Sequence, residues 1–340
     1  MIIYKLNIKK PHNNIFYIDK ASLCIVEYSK DKFFNNKEKI HMLKKIFSFF
    51  MAIFAFFASL FGFGGNKNSK CYIYSDLKYG TEERQTLDLY VPKSAGGKSC
   101  GLALFIHGGA WISGDKSSFS KDTLKNICEN MGVAAAAMNY RYISDSVSVH
   151  DIMDDIDSAL KAIRVIGNEK DISINRVMLS GYSAGAHLSL LYGYSHITSA
   201  PMKIACIVSN CGPTDLADPQ FYSANSSLAS HDFIYDLMSK ACGYRFNKST
   251  FGKASAALAK ASPLTYVTSS CPPTIITHGQ KDTVVPYSNA VALDAALSAV
   301  GVKHDFISYP NSDHSLANDP DCQKKADELI NNYALAYLVK

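Results

Sequence analysis

A serine flanked by two glycines stands in the segment GYSAG, residues 181–185, between the apolar run RVMLS and a helical pattern. This G-x-S-x-G pattern is typical of a nucleophile on a sharp turn from a strand into a helix. Side chains at Gly181 and Gly185 would collide in such a turn, and the first amides of the helix favour negative charge beside it. Ser183 is therefore the predicted nucleophile.

A serine hydroxyl is a weak nucleophile, so it needs a base, and the base needs a carboxylate that orients it. The chain has ten histidines. His314 is the predicted base because it lies in a loop after the last strand pattern and before the last helical pattern. We expect His107 and His187 to pack locally, and His278 to end a strand.

The orienting acid is expected between the serine and the histidine in chain order. Asp282, in the segment HGQKDTVVP, follows a strand pattern and is the preferred candidate. Asp215, in CGPTD, follows the preceding strand pattern and stays open as an alternative. Asp313 is less suitable because neighbouring side chains rarely orient each other, and it adjoins His314.

The elements that must position these residues begin at Cys71. From there, apolar runs alternate with helical patterns, which predicts an α/β fold with about eight strands in a mostly parallel sheet and helices on both faces. The first two runs, CYIYSDLKY and TLDLYVP, alternate polar and apolar residues and predict an antiparallel pair. The less regular stretch Pro213–Ser262 predicts a small insertion after strand 6. Residues 71–340 are thus expected to form one domain.

Six segments carry a family resemblance when they are taken together in chain order: HGGAWISGDK, NYRY, GYSAGAHLS, ASPLTYV, PPTIITHGQKDTVVPY and NSDHSL. Over roughly residues 75–340, the chain resembles α/β-hydrolase-fold carboxylesterases. More narrowly, it is similar to the hormone-sensitive-lipase-like and bacterial feruloyl or acetyl-xylan esterases. The resemblance implies a triad of Ser183, Asp282 and His314.

The same resemblance implies an oxyanion loop at residues 107–110, after a buried strand. In the mechanism it suggests, the backbone amides of Gly109, Ala110 and Ala184 hold the oxyanion, while His107 and Gly108 support the loop. The chain departs from many relatives in having Ala110 where they have a third glycine. Alanine still has a backbone amide, but the sequence leaves the conformation of the loop open.

Two aromatic residues flank this predicted site, Trp111 beside the oxyanion loop and Tyr182 beside the nucleophile. They are expected either to shape an acyl pocket or to pack the loop against the sheet, and the sequence leaves both interpretations open.

The expected activity is that of a serine carboxylesterase acting through an acyl-enzyme, without a metal or an organic cofactor. Candidate substrates are small-molecule or oligosaccharide esters with short acyl or hydroxycinnamoyl groups, with plant polysaccharide as one candidate carrier. Two alternatives remain: an amide hydrolase of the arylformamidase or exopeptidase type, and a non-catalytic binding protein with a hydrolase fold.

The net charge of +5 belongs to the start of the chain. Residues 1–45 hold ten lysines against four acidic residues, so the remainder sums to −1. A nucleic-acid partner is therefore not expected. Residues 1–41 are predicted to be a basic tail, or an upstream stretch that the cell does not translate.

Residues 46–63 carry no charge and follow Lys44 and Lys45. As a helix they would span about 27 Å, close to the hydrocarbon thickness of a bilayer. Residues 42–65 are thus predicted to be a signal peptide or a membrane anchor, with the catalytic domain outside the cytoplasm. A buried core helix is the alternative.

Eight of the nine cysteines follow the apolar segment. Export would permit disulfides, yet no essential disulfide is predicted. The chain has no C-x-x-C pair and no Cys/His cluster in its sequence, so a zinc site is not expected either.

Overall fold

The structure, a computed structural model, describes residues 69–223 and 231–339. The predicted tail (1–41) and the predicted signal or anchor (42–65, including the apolar run 46–63) lie outside these ranges. Within the two described ranges, none of the helices combines the length and the hydropathy that crossing a bilayer would need.

One eight-stranded sheet organises the chain, in the order β1-β2-β4-β3-β5-β6-β7-β8. β2 pairs antiparallel with both β1 and β4, and every other pairing is parallel. This confirms the predicted α/β-hydrolase sheet and its antiparallel start. The strands are β1 (Cys71–Lys78), β2 (Thr86–Pro92), β3 (Lys98–Ile106), β4 (Ala134–Met138), β5 (Ile172–Tyr182), β6 (Lys203–Asn210), β7 (Thr274–Gly279) and β8 (His304–Tyr309).

Seven α-helices of the described ranges connect or follow the strands. They are α1 (Lys121–Met131), α2 (Val149–Glu169), α3 (Ala184–Ser195), α4 (His231–Cys242), α5 (Ser255–Lys260), α6 (Ser288–Ala299) and α7 (Pro320–Ala334). α1 begins at Lys121, directly after Ser120, whose side chain accepts a hydrogen bond from the Thr123 amide and caps the helix. The last predicted helix ends at Ala334 and continues as a π-helical turn, Leu335–Val339.

Successive side chains of β3 belong to two different cores. Leu104 and Ile106 lie in a cluster with residues of α2, α3 and α6, whereas Ala103 and Phe105 lie in a cluster with residues of α1 and α7. Adjacent residues of a strand point to opposite faces, so the two cores lie on the two faces of the sheet. This is why β3 appears in the sequence as a continuous apolar run.

The parallel strands β5, β7 and β8 end at the same edge of the sheet. Ser183 follows β5, Asp282 lies in the connection after β7, and His314 lies in the connection after β8. The strand order thus brings three distant segments of the sequence to one edge, as expected for a ligand site in an α/β sheet.

The predicted insertion lies between β6 and β7 and includes α4 and α5. Four of its aromatic rings pack on one another with centroid separations from 4.6 to 6.1 Å. These are Tyr222, Tyr235, Phe246 and Phe251. The aromatic rings of the insertion therefore extend the core on one face of the sheet.

The described residues include a disulfide that the cysteine spacing did not indicate. Cys71, at the start of β1, forms a disulfide with Cys128 of α1. The two residues are 57 positions apart, and α1 packs across β1 and β2. The spacing of cysteines does not reveal such a pair because the contact arises from packing between elements.

We expect the Cys71→Ala/Cys128→Ala double variant to lose about 4 kcal/mol of unfolding free energy, because the bond closes a long loop in the unfolded chain. Urea unfolding measures the loss. Cys322→Ala is the matched control, since Cys322 is a free, half-buried thiol. Equal urea midpoints for the double variant and the wild type would contradict this expectation.

Candidate active site

Ser183 lies on a strained turn between β5 and α3. Its backbone has φ 55° and ψ −122°, and its amide donates to the Asn210 carbonyl at 2.8 Å. A Cβ atom added to Gly181 would lie 2.2 Å from the backbone of Gly185, and one added to Gly185 would lie 2.0 Å from the Ile106 carbonyl oxygen. Glycines are thus required on both sides of the serine by steric exclusion, as the sequence suggested.

His314 and Asp282 form a buried hydrogen-bonded pair. His314 Nδ1 lies 2.6 Å from Asp282 Oδ2, and the His314 side chain is only 2% exposed. The ring of His314 packs edge-on against that of Tyr182 with centroids 5.2 Å apart. Because Tyr182 precedes Ser183, the predicted nucleophile, base and acid are brought to one place.

The Asp282 carboxylate accepts hydrogen bonds on both oxygens. Oδ1 accepts from the amides of Val284 and Val285 at 2.8 and 2.9 Å. Burial alone would raise the pKa of this carboxyl, but the adjacent His314 and the hydrogen bonds from His278 and His314 outweigh burial and lower it. The acid is therefore ionised at neutral pH, as an orienting carboxylate must be.

The loops that carry the acid and the base lie against each other. A Cβ atom on Gly279 would lie 2.3 Å from the carbonyl oxygen of Asp313, so only glycine fits there. The Lys281 amide donates to the Ser312 carbonyl at 3.0 Å. The Ser312 hydroxyl in turn donates to Asp319 Oδ2 at 2.6 Å. These contacts fix the distance between the two loops, and with it the approach of His314 to Asp282.

The two competing carboxylates are engaged elsewhere. Asp215 Oδ1 accepts from the Ala217 amide at 2.9 Å, a local turn in the insertion. Asp313 Oδ1 accepts from the amide and the hydroxyl of Ser315 at 2.9 and 2.6 Å. The geometry therefore favours Asp282 over both.

The loop after β3 has an unusual backbone. Gly109, Ala110 and Trp111 have φ values of 116°, 49° and 60°. The Gly109 carbonyl accepts from the amides of Ile112 and Ser113, each at 3.0 Å. Ala110 thus adopts the left-handed conformation that favours glycine, at a cost of about 1–2 kcal/mol. Its departure from the family pattern therefore adds strain to this loop.

The loop lies directly against the turn that carries the nucleophile. A Cβ atom on Gly108 would lie 2.8 Å from the Tyr182 carbonyl oxygen. His107 supports this contact, because its Nδ1 lies 2.7 Å from the Gly108 carbonyl and its ring stacks on Tyr140. Burial, partly opposed by the Gly108 hydrogen bond, lowers the pKa of His107 to about 4. The neutral ring can then accept at Nε2 from the Arg84 guanidinium, 3.3 Å away.

The segment NYRY, residues 139–142, holds this loop from the other side, a role that the sequence did not predict. Tyr140 donates to the His107 carbonyl at 2.9 Å, and Tyr142 donates to the Gly114 carbonyl at 2.5 Å. Arg141 pairs with the fully buried Asp155 at 2.8 Å. The motif itself was visible, but a tyrosine hydroxyl gives no sign in sequence of which distant carbonyl it will bond.

Trp111 is buried beneath the loop, with 2% of its surface exposed. Its indole Nε1–H donates to His187 Nδ1 at 3.2 Å, and His187 Nε2 donates to the Ala261 carbonyl at 2.8 Å. Tyr182 is also buried. For both aromatic residues, the geometry favours a packing role over a wall of the acyl pocket.

Acidification is expected to destabilise the protein through His187. Burial, partly opposed by the Ala261 hydrogen bond, lowers the pKa of His187 to about 4. The unfolded chain takes up this proton near pH 6.5, so the stability that the neutral ring supplies is complete above that pH and falls as the pH drops toward 4.

At pH 5 the loss from this one group is about 2 kcal/mol. Urea unfolding at pH 7.5 and pH 5 measures it, and His187→Gln should show a smaller difference between the two pH values. A variant with the same pH dependence as the wild type would show that this histidine is not the titrating group.

Cys211, His278 and Asp282 are the described residues whose ligand atoms come close enough to share a metal ion, within 4.8 Å of one another. The Asp282 oxygens already accept N–H groups from Val284, Val285 and His314, and His278 Nε2 lies 3.1 Å from Oδ2. A carboxylate has about four lone-pair positions that can accept a hydrogen bond or bind a metal. The N–H groups around Asp282 therefore occupy the positions that a metal ion would need.

Comparisons with known proteins agree on the family. The family model BD-FAE matches residues 87–297, a range that includes Ser183 and Asp282 and ends before His314. Esterase LipQ of Mycobacterium tuberculosis is 26% identical over 248 residues, which cover 71% of this chain and 56% of LipQ. Isoprenylcysteine alpha-carbonyl methylesterase ICME of Arabidopsis thaliana is 28% identical over 258 residues, with 72% and 56% covered.

A solved structure described as a truncated carbohydrate esterase from gut microbiota has a TM-score of 0.61 at 19% identity. The match covers 80% of this chain and 99% of that one. At such identity the likeness shows the shared fold. The chain matches little more than half the length of the two curated relatives. Since the family model spans more than half of the 340 residues, the chain belongs to the BD-FAE family of α/β-hydrolases.

Proposed function

We propose that this protein is a serine carboxylesterase. The observation that carries the proposal is the meeting of three features at one sheet edge: the strained turn with Ser183, the buried His314–Asp282 pair, and the left-handed loop at Gly109 and Ala110. The esterase names of the similar proteins LipQ and ICME support the same reaction.

In the proposed reaction, His314 Nε2 takes the proton of the Ser183 hydroxyl while its oxygen attacks the ester carbonyl. Asp282 holds the other ring nitrogen as a donor, so Nε2 is the basic atom. The alcohol leaves with the proton from His314, and water hydrolyses the acyl-enzyme by the same proton route. No additional reactant is consumed.

The amides of Gly109, Ala110 and Ala184 are proposed to stabilise the oxyanion of each tetrahedral intermediate. Ala184 is the first residue of α3, where backbone amides have no acceptor within the helix. In comparable sites, removing one such donor raises the activation free energy by about 3–4 kcal/mol.

The proposed substrates carry short acyl or hydroxycinnamoyl groups on a small alcohol or an oligosaccharide, including plant polysaccharide. The modest insertion and the resemblance to carbohydrate esterases support this class. Simple alkyl esters are the second candidate class of substrate, and amides are the third.

A substrate panel tests the proposal. We expect the kcat/KM for short p-nitrophenyl esters and for acetylated or feruloylated oligosaccharides to exceed that for N-formyl amines and peptides. Higher values for amides would favour an amide hydrolase. No turnover together with no labelling of Ser183 by a fluorophosphonate would favour a binding protein.

We also propose that the catalytic domain is exported or held at the outer face of a membrane by residues 46–63. The uncharged run behind Lys44 and Lys45 supports this location, and so does the Cys71–Cys128 disulfide, since such bonds persist in oxidising compartments. Mass spectrometry of the mature N-terminus tests it. A start near residue 66 means a cleaved signal, whereas retention of residues 46–63 in the membrane fraction means an anchor. A full-length chain in the cytosol would refute both.

A further inference from the structure

A second histidine contacts the proposed catalytic carboxylate. His278, near the end of β7, is fully buried, and its Nε2 lies 3.1 Å from Asp282 Oδ2. The same nitrogen lies 3.0 Å from the carbonyl oxygen of Val285, in the loop that carries Asp282. His278 thus contacts both the carboxylate and the backbone beside it.

The surroundings of Nε2 determine its protonation. A carbonyl oxygen and an ionised carboxylate are both acceptors, so Nε2 must carry the hydrogen. The other nitrogen, Nδ1, is buried without a hydrogen-bond partner among the described residues. A proton there would place an unpaired N–H and a positive charge in the interior, which is costly. Nε2 is therefore the nitrogen of His278 that donates.

Asp282 Oδ2 thus has two imidazole nitrogens beside it, His314 Nδ1 at 2.6 Å and His278 Nε2 at 3.1 Å. The N–H of His278 is shared with the Val285 carbonyl oxygen at 3.0 Å. Asp282 Oδ1 accepts two backbone amides. The carboxylate thus has four N–H groups around it. Of its four donors, His278 is the one that lies on the rigid sheet and not on a catalytic loop.

We propose that His278 is a positioning residue of the catalytic site, which holds Asp282 Oδ2 in line with His314 and ties the acid loop to β7. This inference rests on the proposed esterase function. His278 acts through Asp282 and not by contact with the reacting atoms.

Removing the donor should have two effects on catalysis. The carboxylate loses its fixed orientation, so kcat falls. It also loses a hydrogen bond to its charged form, so it becomes a stronger acceptor for His314 and favours the imidazolium. The acid limb of the pH profile of kcat/KM is therefore expected at higher pH.

The other titratable groups around His278 and Asp282 are not expected to contribute to the shift of the acid limb. Cys211, after β6, and Tyr182, at the end of β5, have pKa values raised well above their ordinary range by burial, so both stay uncharged. Asp313, on the loop of His314, is exposed to solvent. Asp282 has a lowered pKa and stays ionised between pH 4 and 8.

The experiment compares His278→Gln with His278→Leu. The amide nitrogen of glutamine takes the place of Nε2 and keeps the donor, whereas leucine fills the space without one. We expect near wild-type kcat for the glutamine variant. For the leucine variant we expect a kcat about 10- to 100-fold lower, the rate equivalent of one hydrogen bond to a charged group, with KM unchanged and the acid limb shifted upward.

His304→Leu is the matched control, because His304, on β8 of the same sheet, also pairs with an aspartate, Asp294 of α6. If the leucine variant of His278 does not fold, His278→Asn replaces it, since its amide is too short to reach Asp282. Equal losses in the glutamine and leucine variants, or an unmoved acid limb, would overturn the proposal.

A readout without turnover separates this inference from the esterase proposal. The proton between His314 and Asp282 should give a low-field NMR resonance in the wild type and in His278→Gln. That resonance should shift or broaden in His278→Leu. If the wild type hydrolyses no ester, the esterase proposal is refuted, but the NMR resonance still tests the positioning role of His278. An unchanged resonance in His278→Leu would overturn that role, and a changed one would support it.

Discussion

Ser183→Ala is expected to lower the kcat for short p-nitrophenyl esters by about four orders of magnitude or more. Without the hydroxyl there is no acyl-enzyme, and the remaining turnover reflects the oxyanion donors alone. Alanine accepts the same backbone conformation as serine, including its φ of 55°, so the unfolding free energy should change by less than about 1 kcal/mol.

Ser195→Ala is the control for this loss. Ser195 ends the same helix, and its hydroxyl donates to the Leu191 carbonyl at 2.5 Å, away from the reaction. Its variant should keep full activity and full labelling by a fluorophosphonate. Substantial ester hydrolysis by a well-folded Ser183→Ala protein would refute the serine mechanism.

Asp282→Asn is expected to lower kcat by about 10³- to 10⁴-fold. The asparagine amide would present N–H groups to His314 Nδ1, so the ring would adopt the other tautomer. Nε2 would then carry a hydrogen and could not take the proton of Ser183. The same amide would also face the Nε2–H of His278, replacing an attraction with a conflict between donors.

Asp215→Asn provides the comparison, because Asp215 bonds a local amide in the insertion. We expect near wild-type kcat from it. A collapse of kcat in Asp215→Asn but not in Asp282→Asn would reverse the assignment of the acid. The Ser183→Ala/Asp282→Asn double variant should be no slower than Ser183→Ala, since residues of one catalytic unit lose activity together and not additively.

The sequence predicted what depends on local pattern. Alternating apolar runs and helical periods predicted the sheet, and the glycines around Ser183 predicted the sharp turn, because both depend on neighbouring residues. The contacts that join distant segments could not be predicted from the sequence. The Cys71–Cys128 bond, the support of the loop by Tyr140 and Tyr142, and the second histidine on Asp282 all depend on packing between elements.

Asp282 illustrates the difference between features that the sequence predicts and contacts that it does not. Its place after a strand was visible in HGQKDTVVP, and so was the histidine four residues before it. A histidine at a strand end is usually just buried, and nothing in one sequence shows that its ring bends back to the carboxylate. The loop between Gly279 and Asp282 makes that turn, and its path is set by the neighbouring loop at Ser312 and Asp313.

The chain of contacts from Trp111 through His187 ends on a backbone carbonyl, that of Ala261. A carbonyl is present whatever residue stands at position 261, so this contact depends on the path of the insertion's main chain at Ala261 and not on the side chain there. Enzyme engineers who graft insertions between relatives to alter substrate range should therefore match that path first, and select side chains afterwards.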